Sequence, residues 1–162
     1  RDALPIAYGV KELVMIVGHR QEDLIAEAST VAHEGFVRLI FNPRYKEGPL
    51  LSMAKGIEVL RGGNDVLFMN ADVLYHPLVL EKLITSRHRN CFIMDRQFQS
   101  TKDQVTVCLN SGEVVDFGKG LGDDFELFGE WPGFLTISPE IAAKVAYRTQ
   151  GFIDCDVIQG PY

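Results

Sequence analysis

Short apolar runs alternate with longer amphipathic stretches along the chain up to about residue 95. The apolar runs, which predict β-strands, occupy residues 13–17, 36–41, 66–70 and 91–94. The stretches in which apolar residues recur every three or four positions, which predict α-helices, occupy residues 21–34, 48–60 and 77–87. Because strands and helices take turns, the pattern predicts a parallel sheet that is covered by helices on both faces.

The pattern changes after residue 104. Residues 105–109 and 114–117 flank Asn110-Ser111-Gly112-Glu113, whose residue types favour a tight turn, so this segment predicts an antiparallel hairpin. A last strand is predicted at 133–137, and a helix is predicted to follow it from Pro139, which suits the first helical position.

These elements predict a three-layer α/β/α, Rossmann-like fold whose sheet is mostly parallel, with an antiparallel hairpin in the C-terminal half. We expect one domain over residues 1–162. The chain starts inside what reads as a helix at residues 2–8 and stops soon after an apolar, acidic segment, so we expect that domain to be truncated at both ends.

Composition narrows the classes of protein. A net charge of −6 over 162 residues and a pI near 5.2 argue against a nucleic-acid surface, which would show basic clusters. The 46% hydrophobic content is that of a globular chain that does not span a membrane, and no secretory leader is visible. Cys91, Cys108 and Cys155 are isolated, so reduced thiols and a cytoplasmic location are expected, and a zinc site is not.

The strand at 66–70 ends in the polar sequence Asn70-Ala71-Asp72. Open α/β sheets bind ligands at the carboxyl ends of their strands, and Mg²⁺ is usually held by one or two carboxylates together with substrate phosphates. Asp72 therefore suits a magnesium ligand. The alternative is that Asp72 caps the next helix or closes a turn, and the segment alone leaves both open.

Three further segments carry candidate chemistry. The helix start at Gly48-Pro49-Leu50-Leu51-Ser52 would present unpaired amides to a phosphate or a base edge, although it also suits an ordinary helix start. Glu130-Trp131 joins a carboxylate to the only tryptophan, which suits a cationic or hydroxylated ligand or simple aromatic packing under a loop. Lys119 lies between two glycines and would reach a phosphate from a loop, or be a solvated lysine.

In their order along the chain these segments resemble the sugar-1-phosphate nucleotidyltransferases. Within that family the chain looks closest to the small-alcohol branch of cytidylyltransferases, which act on phosphocholine, inositol phosphate or aminoethylphosphonate. The hairpin that closes on Phe117-Gly118-Lys119-Gly120-Leu121 points to that branch. The matching segments are Gly9-Val10-Lys11-Glu12, Ile16-Val17-Gly18-His19-Arg20, Asn42-Pro43 with Tyr45, Gly48-Pro49-Leu50-Leu51-Ser52, Asn70-Ala71-Asp72, and Gly129-Glu130 followed by Gly133.

The resemblance implies an enzyme in which an acceptor oxygen displaces pyrophosphate from a nucleoside triphosphate, with Mg²⁺ as cofactor and CTP as the favoured nucleotide. It implies that Asp72 binds the metal and that Glu130 contacts the small phosphorylated acceptor. It also implies that the base and ribose are lined by Gly48, Leu50, Ser52, Asn70 and Ala71. We add Lys119 as a catalytic residue, and Trp131 and Tyr75 as walls of the acceptor pocket.

The resemblance is incomplete. The family's glycine-rich loop, G-x-G-x-R, would precede Arg1, and its second metal-binding aspartate would follow Tyr162. A sugar-1-phosphate nucleotidyltransferase or a nucleotide-sugar glycosyltransferase is the first alternative, although the latter would call for a second carboxylate beside Asp72. A non-catalytic nucleotide-binding or regulatory domain is the second. No nucleic-acid or membrane partner is expected, and a homodimer stays open.

Overall fold

A computed structural model describes residues 9–31, 35–98, 104–121 and 125–155. The predicted helix at residues 2–8 lies outside these ranges. The helices are α1 (Gln21–Val31), α2 (Pro49–Lys55), α3 (Ile57–Leu60), α4 (Leu78–Ile84) and α5 (Pro139–Asp154). The strands are β1 (Leu13–Val17), β2 (Val37–Phe41), β3 (Val66–Met69), β4 (Cys91–Phe92), β5 (Val105–Asn110), β6 (Glu113–Lys119), β7 (Leu127–Glu130) and β8 (Phe134–Ile137).

The chain forms two compact units. The described residues up to Val66, together with those from Ser138 onward, make the first unit, and Leu67–Ile137 make the second. Each unit has its own buried apolar side chains, so each is described by itself.

In the first unit, β1 and β2 pair in parallel, from Leu13 opposite Val37 to Val17 opposite Phe41. Helix α1 connects them, as a parallel pair requires a crossover. This strand–helix–strand segment confirms the pattern read from the sequence. Because neighbouring parallel strands end at the same edge, the loops after Val17 and Phe41 lie side by side.

The helical part of the first unit packs α5 against α2 and α3. The predicted helix at 48–60 is divided at Gly56, whose N–H bonds back to the Met53 carbonyl at 2.9 Å. Glycine is a poor helix former, which accounts for a break at this position. Ala142 and Ala146 are fully buried one turn apart on α5, so their small side chains allow the close approach of α2 and α3.

In the second unit, one sheet has the strand order β3-β8-β4 and another has the order β6-β5-β7. Leu80 and Leu83 of α4 are buried with Phe134 of β8 and form the apolar cluster of this unit. The predicted hairpin is present as β5 and β6, and its turn residues Ser111 and Gly112 have positive φ angles of 53° and 79°.

The prediction of a mostly parallel, Rossmann-like sheet was wrong. Strands pair antiparallel in β4–β8, β5–β6 and β5–β7, whereas β1–β2 is a two-stranded parallel sheet on its own. The error came from taking the apolar run at 66–70 as a further parallel strand beside β1 and β2. Its partner is the late strand β8, and strand β7, absent from the prediction, pairs with β5.

Among the described residues, no helix is both long and apolar enough to cross a membrane.

Candidate functional site

Asn70, Ala71 and Asp72 form a turn directly after β3. Ala71 and Asp72 are exposed, and Asn70 is half-buried. The Asn70 N–H donates to the Gly133 carbonyl at 2.9 Å. A Cβ atom on Gly133 would lie 2.5 Å from the Asn70 Nδ2, so glycine is what permits this contact. Asp72 is therefore exposed to solvent, and the turn that carries it is hydrogen-bonded to Gly133, directly before β8.

Glu130 is the last residue of β7, opposite Thr106 of β5. Its backbone N–H and C=O both bond to Asp95 at 2.9 Å, and Gln104 Nε2 donates to its carboxylate at 3.0 Å. Glu130 is half-buried. These bonds hold a negative charge at a defined place in the second unit.

Trp131, the residue after Glu130 in the chain, packs on other aromatic rings. The Trp131 ring centroid lies 5.3 Å from that of Phe117 and 6.3 Å from that of Phe68, and Trp131 Nε1 donates to the Phe134 carbonyl at 3.1 Å. Tyr75 contacts the Phe134 ring edge-on at 4.9 Å. The indole N–H is thus used within the protein, so a ligand would meet the faces and edges of these rings rather than that donor.

Lys119 is the last residue of β6, opposite Val105, and it is exposed. Gly120 follows with a φ of 66°, a conformation that suits glycine. The structure thus places Lys119 where a strand gives way to a loop.

In the first unit, Gly48 precedes α2 with a φ of 118°, and Pro49 is the first helical residue. Leu50 and Ser52 are half-buried on the first turn and a half of the helix. The predicted base-lining residues Gly48, Leu50 and Ser52 therefore lie on one short segment.

From the sequence, Asn42 was named only as part of the segment Asn42-Pro43 that resembles the family. In the structure Asn42 is 1% exposed, and its Nδ2 donates to Ser52 Oγ at 3.0 Å. Its Oδ1 accepts the Arg44 N–H at 3.0 Å, and its own N–H donates to the Val17 carbonyl at 2.8 Å. An asparagine directly after a strand and before a proline was the available signal, since such a residue often bonds to the backbone two positions on.

Tyr45 joins the two loops at the carboxyl ends of β1 and β2. Tyr45 packs so closely on the backbone of Gly18 that a Cβ atom on residue 18 would lie 2.5 Å from Tyr45 Cβ. Its hydroxyl is 3.5 Å from His19 Nδ1. The segment that leads to Gly48 is thus fixed to the loop after β1.

An ion pair closes the short 3₁₀ helix at Tyr45–Glu47. Arg44 Nε donates to Glu47 Oε1 at 2.9 Å. This hydrogen bond is the main reason why the pKa of the Glu47 carboxyl lies below its ordinary value of 4.5. Desolvation opposes the shift, and electrostatic attraction to Arg44 adds to it.

Whether the chain suits Mg²⁺ depends on Asp72. In the described ranges, no group of three or more His, Cys, Asp or Glu residues is arranged to hold a metal ion. A single exposed carboxylate does not make a protein cage. It does fit an ion that arrives bound to a triphosphate and keeps its waters, which is the usual way in which proteins hold Mg²⁺. Asp72 is the residue that would take that ion.

Comparison of the chain with known protein families and with curated proteins finds no match to either.

Proposed function

We propose that this protein is a nucleotidyltransferase. A phosphate or phosphonate oxygen of a small acceptor attacks the α-phosphorus of a nucleoside triphosphate; a new P–O bond forms as the bond to pyrophosphate breaks. CTP is the favoured nucleotide, on the likeness to the small-alcohol branch. The reaction takes place in the cytoplasm.

The observation that carries the proposal is the turn Asn70-Ala71-Asp72, which exposes one carboxylate at the end of β3. The first residue of this turn is held by a hydrogen bond to Gly133 and by close packing on it. When bound, Mg²⁺ would neutralise charge on the phosphates. The finding that most strands pair antiparallel does not affect this turn, because the turn depends on β3 and β8 rather than on parallel pairing.

The acceptor side of the proposal is supported by Glu130. The half-buried Glu130, whose carboxylate accepts a hydrogen bond from Gln104, suits an acceptor that carries a positive charge or hydroxyl groups. Acceptors of that chemistry are phosphorylated amino alcohols and polyols. Lys119 is proposed to bind a phosphate.

The first test uses the full-length protein. Pyrophosphate release is measured with CTP, UTP, ATP and GTP, each with phosphocholine, inositol phosphate and aminoethylphosphonate, over a Mg²⁺ titration. We expect turnover with CTP to exceed turnover with the other three nucleotides. Better use of UTP with a sugar phosphate would move the protein to the sugar branch, and no turnover with any pair would refute the proposal.

The second test replaces Asp72. Asp72→Asn should lower Mg²⁺-dependent turnover at least about a hundredfold, because it removes the charge of the proposed metal ligand, and should leave the fold intact. Asp65→Asn is the matched control, since Asp65 is also exposed but comes before β3 rather than after it. Asp65→Asn should keep parental turnover. Parental turnover of Asp72→Asn at ordinary Mg²⁺ concentrations would remove Asp72 from the mechanism.

A further inference from the structure

A cavity of about 290 Å³ lies between helices α2 and α5 of the first unit. Its apolar walls are supplied by both helices, through Leu50, Met53, Ile141, Val145 and Phe152. The volume is near the lower end of the range for small-molecule sites, about 300–1,000 Å³. The cavity is therefore large enough for a small apolar ligand, which the hydrophobic effect would draw out of water.

The cavity offers a ligand few polar groups. Thr149 also lines it and is 3% exposed, but its hydroxyl donates to Met53 Sδ at 3.4 Å. The Thr149 donor is thus used within the protein. The other two lining residues are Lys144 and Arg148, so the polar groups left for a ligand are both cationic.

Lys144 and Arg148 lie one turn apart on α5 and are exposed, with their Cβ atoms roughly 6 Å apart. Such side chains lay their alkyl stems along apolar surface and keep their charges in water, here at the rim of the cavity. Among the residues that the structure describes, neither cation forms an ion pair with a carboxylate. The chain as a whole carries a net charge of −6, so this rim is a local exception that attracts anions.

We propose that this cavity binds a medium-chain fatty acid. Its alkyl chain lies between α2 and α5, and its carboxylate meets Lys144 and Arg148. The cavity extends along α5 from Ile141 to Phe152, about 16 Å at the rise of a helix, which accommodates an extended chain. A neutral amphiphile would gain nothing from the two cations, and a cationic one would be repelled. Apart from Leu50, no lining residue has a role in the proposed function.

The test measures the binding of decanoate, decanol and decylamine to the full-length protein by calorimetry, without nucleotide and below the concentrations at which micelles form. We expect decanoate to bind more tightly than decanol, and decylamine to bind least tightly. Replacing both cations, by Lys144→Gln with Arg148→Gln, should weaken decanoate binding about tenfold, the effect of two exposed charge pairs. The same double substitution should leave decanol binding unchanged.

Two matched controls accompany these measurements. Lys82→Gln removes an exposed lysine of the second unit and should leave decanoate binding unchanged. Val145→Trp fills the cavity and should abolish the binding of decanoate and decanol alike. Ala143→Trp adds the same ring at an exposed position of α5 that does not line the cavity, and it should bind both compounds as the parent does. If Val145→Trp does not fold, the charge variants still test the proposal.

Equal affinities for decanoate and decanol in the parent, or unchanged decanoate binding after both cations are replaced, would overturn the proposal. So would a parent that binds no decanoate. Binding of phosphatidylserine vesicles in place of decanoate would assign this face to a membrane surface. A dimer of the parent that Val145→Trp dissociates, again without decanoate binding, would assign it to a second copy of the chain. None of these outcomes bears on nucleotidyl transfer, which the turnover assays test separately.

Discussion

At the scale of single residues, the candidate residues of each unit depend on which side chains are held in place by a neighbour. Asn42 holds Ser52, and Gly133 makes room for Asn70. The sequence indicated Ser52, Asn70 and Asp72 as strand-end and helix-start residues, but it did not indicate what fixes them. Such partners come from contacts between residues far apart in the chain, here 63 positions between Asn70 and Gly133, which periodicity and turn signals do not report.

The contact between Asn70 and Gly133 gives a prediction for Gly133→Ala. A Cβ at this position meets the Asn70 side chain at 2.5 Å, and the φ of 90° is strained for alanine, so we expect a loss of about 1–3 kcal/mol in the free energy of unfolding. Urea unfolding measures it. Gly120→Ala is the control, because Gly120 also has a positive φ but, apart from its two chain neighbours, no atom of the described residues lies within 4 Å of the added Cβ.

Gly120→Ala should cost less than Gly133→Ala, because it adds backbone strain without a collision. Under the proposed function, the nucleotide affinity of Gly133→Ala should also fall, since Asn70 must move. Equal destabilisation by the two substitutions would show that Gly133 is needed for its backbone angle alone.

At the scale of elements, local signals were sufficient where partners are close in sequence. Strands β1 and β2, helix α1 and the β5–β6 hairpin were all predicted, because each depends on neighbouring periodicity or on one turn. The pairing of β3 with β8 joins segments more than sixty residues apart. No property of the apolar run at 66–70 distinguishes a parallel neighbour from that distant one, so the sheet was assigned wrongly.

The ion pair between Arg44 and Glu47 gives a pH-dependent prediction. The pKa of Glu47 is lowered in the folded protein, so the pair stabilises the fold above about pH 4.5 and its contribution is lost as the pH falls through the lowered value. Glu47→Gln should therefore be slightly less stable than the parent at pH 7, and the difference should vanish in acid. Thermal unfolding between pH 3 and pH 7 measures this.

Glu58→Gln is the control for the ion pair. Its partner Arg61 lies farther away, at 3.4 Å, and the Glu58 side chain is 83% exposed, so this substitution should change stability less at pH 7. A constant difference between Glu47→Gln and the parent at all pH values would contradict the role given to the Arg44 charge.

At the scale of the whole molecule, each of the two compact units has its own buried residues. Leu51, Ile57 and Ala146 are buried in the first unit, and Leu83 and Phe134 in the second. The strand-end turn with Asp72 lies in the second unit, and the Asn42–Ser52 pair lies in the first. The stability of each candidate region is therefore expected to follow the packing of its own unit.

The core of the second unit gives the corresponding prediction. Leu83 is 2% exposed, so Leu83→Ala should lower the free energy of unfolding by about 2–5 kcal/mol through the lost packing and the cavity left behind. Hydrogen exchange should speed up in β3, α4 and β8, whose residues pack on Leu83. Leu74→Ala is the matched control, since Leu74 is fully exposed, and it should change stability by less than about 0.5 kcal/mol. Similar effects of the two substitutions would contradict the assignment of this core.

The packing of Tyr45 on the backbone of Gly18 has an evolutionary consequence. Any side chain at position 18 would collide with the ring, and any smaller residue at position 45 would leave a gap above the glycine. Neither position can change alone without loosening the two loops that they join. Among orthologues, residues 18 and 45 should therefore covary. Sequences with an aromatic residue at position 45 should keep glycine at position 18, and sequences without that ring should tolerate other residues at position 18.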